Sequence, residues 1–185
     1  MNGSIIARKI ICKLVNLAKE YSLEEVEKDW LIAWHGINYT VLESIEEIGL
    51  KLAGGKNKKG EEIQACFNHI SQTATVEEVK DWGRRIFVSP SIFYCVYEAY
   101  AKEICCKNEN LKFLVEVRVK PDSFIKHKST CSKYKPKNGE PEMLEYRVDA
   151  KKEKDVQVFS LAFVKNKFFE DVKNYKDGEL IKKNE

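Results

Sequence analysis

LIAWHGINYTVLESIEEIGLK, residues 31–51, decides how the rest of the chain is read. The segment WLIAWH is short, apolar and flanked by polar sequence, which predicts a buried strand. Over residues 39–48 the period changes: Val41, Leu42, Ile45 and Ile48 recur at helical spacing, and Gly49 follows. That pattern predicts an amphipathic helix with a glycine C-cap. Trp34, His35 and Gly36 stand where the strand gives way to the helix. His35 is one of three histidines in the chain, and a histidine at a strand end is either packed in a core or held at a site.

Upstream, Ile6, Ile10, Leu14 and Leu17 have helical spacing within residues 4–20. Ser22 followed by Glu24 and Glu25 predicts a helix cap with acid in the first turn. Residues 1–29 therefore read as a helical extension packed on the domain. Because this start is amphipathic and lacks acid until Glu20, a mitochondrial presequence is the competing reading.

Downstream, KLAGGKNKKGEEIQ reads as a loop, residues 75–82 as a short helix, and RRIFVS as a strand ended by Pro90. SIFYCVYEAYAKEI predicts a helix with an aromatic side. LKFLVEVRVKP alternates, with Phe113, Val115, Val117 and Val119 on one face and Leu114, Glu116 and Arg118 on the other. Residues 120–142 are polar and carry Pro121, Pro136, Gly139 and Pro141, which predicts a long loop. MLEYRV and VQVFSLAFV are further strands, and residues 176–185 read as a frayed tail. No internal repeat is visible. The mixture predicts an α+β domain with a twisted antiparallel core.

The 185 residues suffice for one domain with a full core. With 43% hydrophobic and 33% charged residues, the composition is that of a folded globular chain. The net charge of only +3 gives no bulk argument for nucleic-acid binding. No apolar run reaches membrane-spanning length, and Arg8, Lys9 and Lys13 interrupt any secretory core, so the expectation is an intracellular protein, cytoplasmic or nuclear. The six cysteines show no zinc spacing and read as reduced, mostly buried thiols, and no metal is expected. His69, His127, Trp30 and Trp82 need no function.

Few polar residues sit inside apolar strands. His35 ends one and Glu145 lies within another; on alternation alone Glu145 points to solvent. Their order along the chain is more informative. Trp34-His35-Gly36 runs through a helix to Gly49-Leu50-Lys51. Ile86-Phe87-Val88-Ser89 is followed by Cys95 and Tyr100. Glu116-Val117 lies in an alternating strand, and Leu144-Glu145-Tyr146-Arg147-Val148 comes last. This collinear set, over about residues 30–165, resembles the catalytic domain of the poly(ADP-ribose) polymerase superfamily, the diphtheria-toxin-like ADP-ribosyltransferases with a His-Tyr-Glu triad.

The resemblance implies two packed, twisted, mainly antiparallel sheets with flanking helices over residues 30–175, and an enzyme that transfers ADP-ribose from NAD to a protein acceptor. A nucleic-acid acceptor is possible but not indicated, and the oligomeric state is not legible. By the same resemblance His35 contacts the adenosine ribose and Gly36 offers its backbone to the nicotinamide carboxamide, where the missing side chain permits close approach. Phe87, Tyr100 or Tyr97 supply aromatic faces for the cationic ring, and Cys95 stands where a helix serine is usual. Glu145 hydrogen-bonds the ribose next to nicotinamide and stabilises positive charge in an oxocarbenium-like transition state. The chain departs from the family at four places: Ile37 after the glycine, Arg85 for a glycine, Phe87 for the triad tyrosine, and Cys95. Ile37, Phe87 and Cys95 feed a second reading, a binding or scaffold module without catalysis. The lysines at 56–59 and 126–137 keep a third, a tRNA 2′-phosphotransferase-like enzyme.

Overall fold

A central strand, β4, organises the larger sheet. In the computed structural model the described residues are 21–51, 55–57, 59–63, 85–106 and 108–165. The helices expected at 4–20 and 75–82, Cys12, Cys66, His69, Trp82 and the C-terminal tail lie outside them. β4 (Glu109–Val119) pairs antiparallel along one edge with β1 (Leu31–Ile37) and, further along, with β3 (Ile104–Cys106). Its other edge is taken by β7 (Val156–Lys165). The register shifts between Glu116 and Val117, so Phe159 is the extra residue on β7, under the Arg118 guanidinium at 4.3 Å. A second, 3-stranded sheet has the order β2 (Arg85–Val88), β6 (Glu145–Asp149), β5 (Phe124–His127), also antiparallel. The fold is thus α+β, with two antiparallel sheets.

Alternation sets which residues meet. Ala33, Ile37, Val115, Val117 and Val119 share one face of the larger sheet and join Ile86, Val88 and Val148 of the smaller one in a single core. The opposite face, with Leu114, Ala162 and Val164, is covered by Cys95, Val96 and Ala101. The helix α1 (Leu23–Asp29) is capped by Ser22, whose side chain accepts from the Glu25 amide. Tyr21 packs edge-on against Trp30 and donates to Asp155 at 2.7 Å, which ties this end to the 3-10 segment Ala150–Asp155. After β1 a 3-10 turn (Tyr39–Val41) leads into α2 (Leu42–Ile48). Gly49 ends α2 at φ 73, a left-handed conformation suited to glycine, with its N–H on the Ile45 carbonyl.

Four readings of the sequence need correction. The helix expected over SIFYCVYEAYAKEI is confined to α3 (Ile92–Cys95), and Ile104 already belongs to β3. The aromatic and branched residues there favour helix weakly, their side chains are drawn to different clusters, and Lys112 Nζ takes the Val96 carbonyl at 2.8 Å. The polar segment 120–142 contains β5, whose short period is masked by lysines. The strand expected from residue 143 begins at Glu145. Of the cysteines described, Cys95 and Cys131 are buried but Cys105 and Cys106 are exposed.

Leu114 is fully buried in the central strand. Leu114→Ala should lower unfolding free energy by about 2–5 kcal/mol in urea denaturation, because rigid strands on either side cannot collapse into the cavity.

Candidate active site

Among the described residues the two sheets are joined edge to edge at one place. Trp34 N–H donates to the Ser89 carbonyl at 2.7 Å, and Ser89 N–H donates to the Trp34 carbonyl at 2.9 Å. An antiparallel ladder started by such a pair would continue two residues on, with Gly36 opposite Phe87. It does not continue. The His35 ring enters the split instead, with Nδ1 2.7 Å from the Phe87 carbonyl. A carbonyl can only accept, so Nδ1 carries the proton in this contact.

Alternation turns the Gly36 N–H and C=O toward the same edge as those of Trp34, away from β4. The segment after α3 crosses at that point. A Cβ on Gly36 would lie 2.2 Å from the Cys95 carbonyl oxygen and 3.0 Å from the Tyr100 Cβ, so only glycine fits. The Cys95 thiol donates to the Trp34 carbonyl at 3.2 Å. Burial pushes this thiol well above its ordinary range, while hydrogen bonds from Ser89 and the Gly36 backbone pull it partly back. The sulfur is a buried neutral thiol, not a reactive thiolate.

Glu145 opens β6 and is 2% exposed, not directed to solvent as alternation alone suggested. Its Oε1 accepts from Tyr94 Oη at 2.5 Å and from both the amide (2.8 Å) and hydroxyl (2.5 Å) of Thr130. Its Oε2 faces Arg147, with Nε and Nη2 each at 3.4 Å. Tyr94 spends its single proton on Glu145, so Tyr100, 2.5 Å away, must be the donor in the bond between the two hydroxyls. The result is a directed chain, Tyr100 to Tyr94 to Glu145. Burial first, and the Glu145 charge second, raise Tyr94 above the ordinary tyrosine value; burial likewise raises Tyr100 and Tyr134. A second carboxylate, Glu140, accepts from Ser91 Oγ, from Tyr134 Oη at 2.8 Å and from the Lys137 amide at 2.5 Å. It fastens the loop carrying Thr130 onto the start of α3.

These contacts close a ring. His35 holds the Phe87 carbonyl; the Phe87 side chain lies 5.6 Å from the Arg147 guanidinium; Arg147 pairs with Glu145; Glu145 leads through Tyr94 to Tyr100; and Tyr100 stands against Gly36. His35, Gly36, Phe87, Cys95, Tyr100 and Glu145 therefore share one neighbourhood. Tyr97 is placed apart from the carboxylate, edge-on to Tyr134 at 5.4 Å. Ile37 is 3% exposed and packed in the core between the sheets. Sequence reading missed Tyr94, Thr130 and Arg147. Arg147, a cation inside a buried strand, carried a usable signal; Tyr94 was hidden in an aromatic run, and Thr130 reaches Glu145 only through the path of its loop.

Among the described residues, no helix is long and apolar enough to cross a membrane, and no group of three or more His, Cys, Asp or Glu could hold a metal ion. No family model and no curated protein matches the chain.

Two outcomes follow. Gly36→Ala forces its new methyl into backbone and should cost at least ~1–3 kcal/mol, read as a lowered melting temperature. Tyr94, Tyr100 and Tyr134 are raised in the folded state, so above about pH 10 the unfolded chain gives up protons that the folded chain keeps. Their contribution to stability is full below that pH and is lost as pH rises. Melting temperature should fall through this range, and less steeply for Tyr94→Phe.

Proposed function

We propose that the chain is an NAD-dependent ADP-ribosyltransferase that breaks the nicotinamide–ribose bond and passes ADP-ribose to a protein acceptor. The observation that supports it is the ring just described. Residues selected by a family resemblance, and spread from position 35 to position 145, meet around one split between two sheets.

Each residue has chemistry suited to the assignment. His35, held by the Phe87 carbonyl, brings an oriented imidazole that can hydrogen-bond a ribose hydroxyl. Gly36, off the ladder, turns an N–H that the Cys95 sulfur now takes and a carbonyl toward the segment after α3, and a carboxamide replacing that segment would need both. The Cys95 thiol stands there as a weak donor. Phe87 and Tyr100 supply ring faces for a cationic ring, worth ~0.5–2 kcal/mol each. Glu145, on a strand and gripped on both oxygens, stabilises positive charge developing at the anomeric carbon as neutral nicotinamide leaves with the bonding electrons. It can then take the proton of an acceptor that attacks that carbon. Phe87 keeps the ring of the family tyrosine and loses its hydroxyl.

Substrate entry has a structural requirement. Glu145 is 2% exposed, and the Cys95 carbonyl and Tyr100 stand against Gly36. Binding therefore needs the segment around 94–100 and the Thr130 loop to draw back. The same closure favours one second reading, a module on this fold without turnover.

Thermal denaturation with NAD and with 3-aminobenzamide, a nicotinamide mimic, tests the proposal. A ligand at a hundredfold excess over its Kd should raise the melting temperature by roughly 5–10 °C. No shift with either contradicts an NAD site. A shift with NAD but no nicotinamide release assigns the chain to the second reading.

A further inference from the structure

We propose that Tyr94 is a positioning residue for Glu145, holding its carboxylate from α3. The inference rests on the ADP-ribosyltransferase reading above and adds a residue to it that neither the motif order nor the spacing singled out.

Two kinds of donor share the inner oxygen of Glu145, and they differ in how they are held. Thr130 belongs to a loop and is half-buried, and its two hydrogen bonds reach the carboxylate from that loop. A ribose hydroxyl arriving at Glu145 would displace such donors. Tyr94 is 3% exposed and packs against Tyr100 at 4.8 Å and Tyr134 at 4.9 Å. Its hydroxyl is fixed from behind by Tyr100 and from the side by Ser129 Oγ at 3.1 Å. With Arg147 on the outer oxygen, Tyr94 sets the plane of the carboxylate from two sides, in a buried place where such bonds are strong. Burial and the Glu145 charge both favour the protonated phenol, so Tyr94 remains a donor at neutral pH. Orientation of this kind is realised most fully when charge develops beside the carboxylate, so it acts on turnover more than on binding.

The test has a kinetic arm and an arm independent of activity. In nicotinamide-release assays Tyr94→Phe should lower kcat roughly 10- to 100-fold, the scale of losing a hydrogen bond to a charged group, with KM for NAD changed less than about threefold. Tyr100→Phe, which leaves the Tyr94 hydroxyl and removes its supporting donor along with the Tyr100–Thr130 hydrogen bond, should lower kcat by a smaller factor. In glutamate carboxyl-13C spectra, the signal that disappears in Glu145→Gln should move in Tyr94→Phe. A merely structural tyrosine would lower the melting temperature and leave kcat and that resonance where they were, which overturns the proposal. Should Tyr94→Phe not fold, Tyr100→Phe decides on the same readouts. A wild type that releases no nicotinamide overturns the catalytic role together with the NAD reading; a moving resonance would then show the contact alone.

Discussion

The joint between Trp34 and Ser89 is the constraint on which the site depends. Two hydrogen bonds lock the edges of the sheets at one residue pair, and the next pair that geometry would allow is replaced by an imidazole on a carbonyl. The consequence is mechanical as well as chemical. One face closes over the shared valine-rich core, and past the joint the edge of β1 carries backbone groups outside the strand pairing. A binding surface for a planar amide needs such groups, and ordinary strand interiors do not provide them. Gly36 sits at the point of divergence because a neighbouring backbone, that of Cys95, crosses within a side chain's reach.

Near that joint a carboxylate has been buried. Burial of an isolated carboxylate is expensive, and removing one partner from such a group is more destabilising than the pair is stabilising. Glu145 is compensated by a guanidinium and by hydroxyl and amide donors from three separate parts of the chain: α3, the loop at Thr130 and its own strand. An apolar residue at the same position would avoid the cost altogether. Glu140 repeats the device at the far end of the same loop, so the path from Cys131 to Glu140 is set by buried groups although most of its surface is polar.

Legibility in the sequence followed physical range. Elements defined by periodicity within a few residues were readable: β1, α2 with its glycine cap, β4 and β7 appear where the apolar pattern placed them. The aromatic run after Ser91 misled, because helical spacing of rings says nothing about whether those rings pull to one side or several; Tyr94 and Val96 belong to different clusters. β5 was unreadable because its stability comes from pairing with β6, not from its own composition. At the candidate site, His35, Gly36, Phe87 and Glu145 were picked out by order along the chain, and the structure brings them into one neighbourhood. Tyr94, Thr130 and Arg147 were not, since their importance lies in what they touch.

The most direct measurement is nicotinamide release from NAD by the purified wild-type chain and by Glu145→Gln, followed by chromatography under identical conditions. The account predicts release by the wild type and a loss of about 10²-fold or more in the variant, the scale of removing a principal charge-stabilising group. Equal release by both, or none by either, would contradict the claim that this buried carboxylate is the catalytic centre.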